Sequence, residues 1–330
     1  MLIRLILIFI TTFITCCKQK NSIKPPKVKG DFFYFYKELF SIPYDSIEFY
    51  LPKIISKYDL FYELFTTNVI NIVPPNNSKH SIYLRAFLTD FNVNKAYNAI
   101  NQKFKDMSEI EKKFELTFGY IKIYLPKLKI PKIYFYHGGF NKPIIATQGI
   151  IGVGLDMYLG EDSDFYYKLG MPMYRIKKTN PEYIIIDALK YYLEGNYPYN
   201  FNADNVLSNI IHQGRIIYVL KKIMPFIEEH LIFGFTKEQL KWCKKNERNM
   251  WRFLIERKKL YSTNYMDIKR YTTDGPYTVT FPKESPARAA VWLGYQIIEK
   301  FMKKNKNITL ENLLKINDYQ RILLESYYNP

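Results

Sequence analysis

Apolar residues recur at helical spacing on both sides of one short stretch with a different pattern, and this contrast limits the fold more than any other feature. In residues 50–64 and 204–224, apolar side chains return every three or four positions, which predicts amphipathic helices. Residues 130–160 instead hold two apolar runs rich in β-branched and aromatic residues and punctuated by glycine, a pattern typical of strands. We therefore expect an α+β fold, predominantly α-helical, with a small central β-sheet.

Further helices are predicted on either side of the sheet. One is expected to open at Thr236, where Thr-Lys-Glu-Gln can form a capping box, and a short one is expected around residues 33–44. Residues 161–183 have the composition of a loop. The remaining helical patterns cover residues 81–92, 93–118, 181–195, 285–303 and 310–327.

The first sixteen residues have the pattern of a secretory signal peptide. An apolar run follows Arg4 and stops at Cys16-Cys17, so it is shorter than the roughly 20 residues that a membrane span needs. The three residues before Cys17 are aliphatic, small and small. This resembles a bacterial lipoprotein signal, which implies acylation of Cys17, for example by palmitate, with Cys16 as the alternative. An uncleaved anchor, or a plain signal with incidental cysteines, is the competing interpretation.

Composition changes divide the rest of the chain. We expect a signal peptide over 1–16, a basic, proline-bearing tether over 17–30, and a single globular domain over 31–330. Only Cys243 lies beyond the cysteine pair, so stability must come from a packed core and not from internal disulfides.

The formal charge of +17 comes mainly from lysine, together with abundant Ile, Asn, Tyr and Phe. These are the residues of AT-rich codons, so genome composition accounts for them. The chain lacks a run of five or six basic residues and any RNP or zinc-finger pattern. We therefore expect no nucleic-acid partner, and only some attraction of the lysines to anionic lipid headgroups.

No residue pattern indicates catalysis. His80, His137, His212 and His230 are far apart in the sequence and are expected to be surface or capping residues, outside any metal-ligand spacing. Cys243 is expected to be a packed thiol. We predict no catalytic residues, no metal site and no cofactor.

Two local patterns have a structural interpretation and a functional alternative. Residues 149–160 are glycine-rich but lack a phosphate-loop ending, which favours a strand edge or a tight turn. Four acidic residues within nine positions could hold Ca²⁺, although the spacing is not that of an EF-hand, which favours a solvated acidic loop. They are Asp156, Glu161, Asp162 and Asp164.

Long blocks of the chain together resemble the gliding motility lipoprotein GldB family of Bacteroidetes. The blocks cover residues 149–189, 209–225, 234–262 and 274–305, followed by QRILLESYYNP. The resemblance implies a lipid-anchored envelope protein associated with gliding and type IX secretion, with no established reaction. His212-Gln213 departs from it, because relatives usually carry an acidic residue before Gly-Lys. The positions it marks, without assigning a role, are Gly154, Asp156, Gly160, Tyr174, Gln213, Gly214, Arg215, Glu247, Trp251, Pro276 and Trp292.

A fainter likeness is to predicted zinc-dependent proteases, in which one helix carries HExxH and the next a glutamate ligand. The corresponding helix, residues 184–195, has no histidine, and Gln213 replaces the glutamate. This suggests a degenerate, zincin-like scaffold that lacks the anionic and imidazole ligands zinc requires.

Three functions remain open at this point. The leading hypothesis is a non-enzymatic, lipid-anchored protein on the cell membrane or outer membrane, facing the periplasm, which contacts envelope proteins of the gliding and secretion machinery. The alternative is a degenerate or unconventional zinc-protease-like hydrolase. A module that binds lipid or peptidoglycan is the third.

Overall fold

The computed structural model describes residues 24–330. The signal peptide and the candidate acylation sites Cys16 and Cys17 lie outside the described residues, so the predictions made for them stay predictions. Within the described range the chain is mostly helical and carries a small four-stranded sheet. The predicted fold class is therefore confirmed.

The N-terminal part combines one short strand with five helices. The predicted helix over 93–118 is wrong in extent, because the chain breaks after residue 103. At the break Asp106 Oδ1 accepts the backbone N–H of Ser108, while Phe104 and Met107 are buried. The elements are β1 (Phe32–Phe33), α1 (Phe35–Phe40), α2 (Ile47–Leu64), α3 (His80–Thr89), α4 (Phe91–Lys103) and α5 (Ser108–Tyr124).

The middle of the chain supplies the other strands, β2 (Lys132–Tyr136), β3 (Ile144–Thr147) and β4 (Ile150–Gly154). The spatial order is β1-β2-β4-β3, with β1, β2 and β4 parallel and β3 antiparallel to β4. The turn between β3 and β4 ends at Gly149, whose φ of +82° suits glycine. The glycine-rich run is thus a turn and a strand, as predicted.

Ten helices follow the sheet in the described chain. The capping box predicted at Thr236 is present, since its hydroxyl accepts the N–H of Gln239 and the Gln239 side chain accepts the N–H of Thr236. The helices are α6 (Asp164–Lys168), α7 (Met173–Ile176), α8 (Tyr183–Asn196), α9 (Val206–Ile223), α10 (Glu229–Phe233), α11 (Lys237–Glu256), α12 (Tyr265–Thr272), α13 (Ala289–Lys304), α14 (Leu310–Lys315) and α15 (Tyr319–Ser326).

The sheet separates two hydrophobic cores. Ile133 and Phe135 of β2 belong to the larger core, with residues of α5, α8, α9 and α13. Tyr134 and Tyr136, from the opposite face of the same strand, belong to the smaller core, with residues of α1, α2 and α3. Because successive strand side chains point to opposite faces, β2 is shared by both cores.

Helices α9 and α13 cross in close contact at two glycines. A Cβ at Gly294 would lie 1.8 Å from the carbonyl oxygen of Ile210, and a Cβ at Gly214 would lie 2.3 Å from the carbonyl carbon of Gly294. No larger residue fits such a close backbone approach. The marked position Gly214 therefore has a packing role.

The first described residues lie along α5. A Cβ at Gly119 would meet the carbonyl oxygen of Pro26 at 2.4 Å, and Val28 packs against the larger core. The tether expected over 17–30 is thus in contact with the body from Pro25 onward. The remainder of that segment lies outside the described residues.

Candidate functional site

A cleft of about 520 Å³ opens between α7, the turn from α10 to α11, and the chain segment that joins α12 to α13. Two positions marked by the family resemblance, Tyr174 and Pro276, line it. Lys178 and Asp274 also stand in its wall. The cleft therefore brings together chain segments that are about one hundred residues apart.

A carboxylate between two cations holds this wall together. Asp274 Oδ1 accepts Lys178 Nζ at 3.0 Å and Arg288 Nε at 2.8 Å, and Arg288 Nη2 donates to the carbonyl oxygen of Phe233 at 2.7 Å. Arg288 adopts a left-handed conformation, φ +49°, immediately before α13. The three charged residues thus tie the segment between α12 and α13 to the ends of α7 and α10.

The turn from α10 to α11 approaches the two cations closely. Gly234 ends α10 with φ +66°, and a Cβ there would lie 3.1 Å from Arg288 Nη2 and 3.2 Å from Lys178 Nζ. Glycine supplies both the left-handed backbone and the space. A side chain at this position would press on the ion pairs.

Burial and charge perturb two pKa values in the cleft. Desolvation, assisted by Arg288, lowers the pKa of Lys178 to about 8, while Asp274 opposes the change. Burial acts to raise the pKa of Asp274, but Arg288 and Lys178 hold it well below its ordinary value. Near neutral pH the three groups carry one net positive charge. The cleft can therefore orient an acidic or polar group of a bound molecule.

The lowered pKa of Lys178 predicts a pH dependence of stability. Between about pH 8 and the ordinary lysine pKa of 10.5, the unfolded chain holds more protons at this position than the folded chain, so stability rises with pH. We expect the free energy of unfolding of wild type to rise across this window relative to that of Lys178→Met, measured by urea unfolding at several pH values. Substitution of the exposed Lys177 by Met is the control. Parallel profiles of unfolding free energy against pH for wild type and Lys178→Met would contradict the prediction.

Asp156 lies away from this cleft and is fully buried. Its Oδ2 accepts the backbone N–H groups of Gly138 and Phe140 and lies 3.2 Å from Nδ1 of His137. The interpretation as part of a solvated acidic loop is wrong for this residue, because the chain after β2 folds around its carboxylate. Glu161, Asp162 and Asp164 are exposed. The nearby marked position Gly154 is also structural, since a Cβ there would lie 2.5 Å from the carbonyl oxygen of Lys142.

The marked positions on α9 face inward. Gln213 Nε2 donates to the carbonyl oxygen of Thr272 at 3.2 Å. Arg215 is fully buried and donates to the carbonyl oxygen of Ile316 at 2.5 Å and to Nδ1 of His212 at 2.9 Å. Burial, with the Arg215 charge beside it, lowers the pKa of His212 to about 3. His212 is therefore a neutral hydrogen-bond acceptor at physiological pH.

The remaining marked positions lie against the C-terminal segment, in the larger core and next to Thr179, the neighbour of Lys178. Glu247 accepts the hydroxyl hydrogen of Tyr328 at 2.8 Å, and the rings of Trp251 and Tyr328 meet edge to face. Trp292 is buried in the larger core. Gly160, with φ +107°, donates its N–H to the carbonyl oxygen of Thr179, next to Lys178.

The histidines occupy different places from those expected. Three of them are buried, namely His80, His137 and His212, so the expectation of surface or capping histidines is wrong for these three. Each ring hydrogen-bonds to the chain. His230 lines the cleft. Cys243 is a packed thiol, as predicted, and burial raises its pKa.

The residues at the zincin-like positions do not fit a metal. The charged side chains of α8 are Asp187, Lys190 and Glu194, and a lysine ammonium repels a cation. Asp187 accepts a hydrogen bond from Tyr158, and burial raises its pKa. Across residues 24–330, no three His, Cys, Asp or Glu side chains group closely enough to hold a metal ion.

Sequence reasoning did not find the charged residues of the cleft. Lys178, Asp274 and Arg288 belong to no short motif, because they meet only after the chain has folded. The one available signal was that two of the family-like blocks, 149–189 and 274–305, contain all three residues.

The fold and the cleft together define a class, a mainly helical α+β body with a charged groove. The chain belongs to the gliding motility protein GldB family, whose model matches residues 16–330. It is therefore a lipoprotein related to gliding motility. No curated protein and no solved structure matches the chain. Among the helices of residues 24–330, none is both long and apolar enough to span a bilayer.

Proposed function

We propose that this protein is a non-enzymatic envelope subunit, acylated at Cys17 or alternatively at Cys16, which faces the periplasm and binds a protein of the gliding or type IX secretion machinery. The cleft beside Asp274 is the proposed contact site. The observation that carries this assignment is the ion network of Lys178, Asp274 and Arg288, which presents fixed charge in the cleft that contains Tyr174 and Pro276.

Site-specific photo-crosslinking in cells tests the contact site. A photoreactive residue at Lys177 or Lys237, which both line the cleft, is expected to capture the same envelope protein. The exposed positions Lys245 and Lys306 are the controls. The proposed contact site would be wrong if the cleft positions and the control positions captured the same proteins. It would also be wrong if the captured proteins were unrelated to gliding and secretion.

The non-enzymatic part of the proposal has a separate test. A zinc-protease-like hydrolase would require a bound metal, for which α8 and Gln213 provide poor ligands. Elemental analysis of the purified protein is therefore expected to find no stoichiometric zinc. One zinc ion per chain would overturn this part of the proposal and favour the hydrolase alternative.

A further inference from the structure

The chain from Leu116 to Leu155 contains lysines but no acidic residue. Four of these lysines belong to the end of α5, the connection to β2 and the first position of β2, and all four are exposed. They are Lys122, Lys127, Lys129 and Lys132. No carboxylate within this stretch offsets the positive charge of these lysines.

The sheet topology places these lysines at one end of the body. Because β1, β2 and β4 are parallel, their N-terminal ends share one edge of the sheet. Lys132 opens β2 at that edge, and the side-chain end of Lys129 lies about 3 Å from the Cβ position of Gly149, which precedes β4. The chain enters β1 at the same edge through Asp31.

The first described residues add three more lysines to this end. Gly30 donates its N–H to the Glu115 carboxylate at 3.2 Å, and Pro26 lies against Gly119 of α5. Val28 is turned inward, whereas the three lysines of this segment are exposed. They are Lys24, Lys27 and Lys29. We call the seven lysines of the two segments the basic end. Asp31 and Glu115 are acidic residues that flank these segments.

The distance to the acylation site limits how the body can turn. Six residues separate Cys17 from Lys24, and an extended chain spans at most about 3.6 Å per residue, so the lipid lies within roughly 25 Å of Lys24. A folded body of this length has a radius of gyration of roughly 19 Å. The side opposite the basic end therefore cannot reach the membrane surface.

We propose that the basic end rests on the anionic headgroups of the membrane that holds the lipid anchor. This inference rests on the acylation in the proposed function and adds the orientation of the body. Lysine ammonium groups are attracted to anionic headgroups close to the bilayer and screened beyond about 10 Å. The short tether and the lysine-rich surface together fix which side faces the membrane.

Lysine footprinting of the complete acylated protein tests this orientation. The protein is reconstituted into vesicles of phosphatidylcholine, with or without phosphatidylglycerol. Its lysine amines are then labelled with an amine-reactive reagent, and the labelled positions are mapped by mass spectrometry. The basic end is expected to react several-fold less in the anionic vesicles. The exposed Lys245, Lys283 and Lys306 are expected to react equally in both. Uniform reactivity, or protection of another surface, would overturn the proposal.

Charge reversal provides the matched comparison. In the variant Lys122→Glu/Lys127→Glu/Lys129→Glu, the protection of the N-terminal lysines by anionic vesicles is expected to disappear. In the variant Lys245→Glu/Lys283→Glu/Lys306→Glu this protection is expected to persist. Loss of the protection in both variants would contradict the assignment of the basic end. The same mass spectra show whether the cysteine carries its lipid acyl chains. A cysteine without acyl chains would refute the proposed anchoring, whereas acylated protein with a uniform footprint would refute only the orientation.

Discussion

Replacing Gly294 by alanine is expected to lower the free energy of unfolding by about 3 kcal/mol, the upper part of the range for overpacked cores. The new Cβ would stand 1.8 Å from the carbonyl oxygen of Ile210, which is backbone and cannot rotate away. Helices α9 and α13 would have to separate along the centre of the larger core. Urea unfolding followed by circular dichroism measures the change.

Gly195 provides the matched control for this prediction. It is also a helical glycine, but a Cβ there would meet nothing within 4 Å. Gly195→Ala is therefore expected to leave stability unchanged or to raise it by up to about 1 kcal/mol, the difference in helix propensity. Equal effects of the two substitutions would show that α9 and α13 do not cross as described.

Removing the Asp156 carboxylate is expected to cost about 2–6 kcal/mol, because two backbone N–H donors lose their acceptor at about 1–3 kcal/mol each. In Asp156→Ala, the N–H groups of Gly138 and Phe140 lose their acceptor, and His137 loses its neighbour. Each buried group left without a partner carries a desolvation penalty. Thermal and urea unfolding of the purified variant give the magnitude.

Asp162 is the control for Asp156, because it follows closely in the chain but is exposed. Asp162→Ala is expected to change stability by no more than about 0.5 kcal/mol. Near-wild-type stability of Asp156→Ala would mean that water replaces the carboxylate, and that the site is less enclosed than its geometry indicates.

The parts of the fold that were predictable are those in which one pattern repeats over several turns. Helices α2 and α11 each bury one face, so their buried apolar residues recur at helical spacing, while α8 and α9 are long helices buried on more than one face. Helices α6, α7 and α10 have four or five residues, too few for a period to appear. Strand β1 has two residues and depends on pairing with β2.

The environments of Asp156 and of the charged residues in the candidate site were less predictable than the fold. Burial of Asp156 depends on N–H groups supplied by the chain after β2, and nothing near Asp156 in the sequence reports their position. The same holds for Lys178, whose lowered pKa comes from burial and from Arg288, 110 positions away. Composition was also a weak guide, because the lysine excess acquires meaning only where the topology brings Lys129 and Lys132 to one edge of the sheet.

Because β2 contributes alternate side chains to both sides of the sheet, the two cores are mechanically and thermodynamically coupled. Losing the contacts of Tyr134 and Tyr136 would open one face of the strand whose other face holds Ile133 and Phe135. Partial melting of the N-terminal helices would therefore loosen the body beneath the cleft as well. We therefore expect the N-terminal helices and the region that carries the cleft to lose stability together when the contacts of β2 are lost.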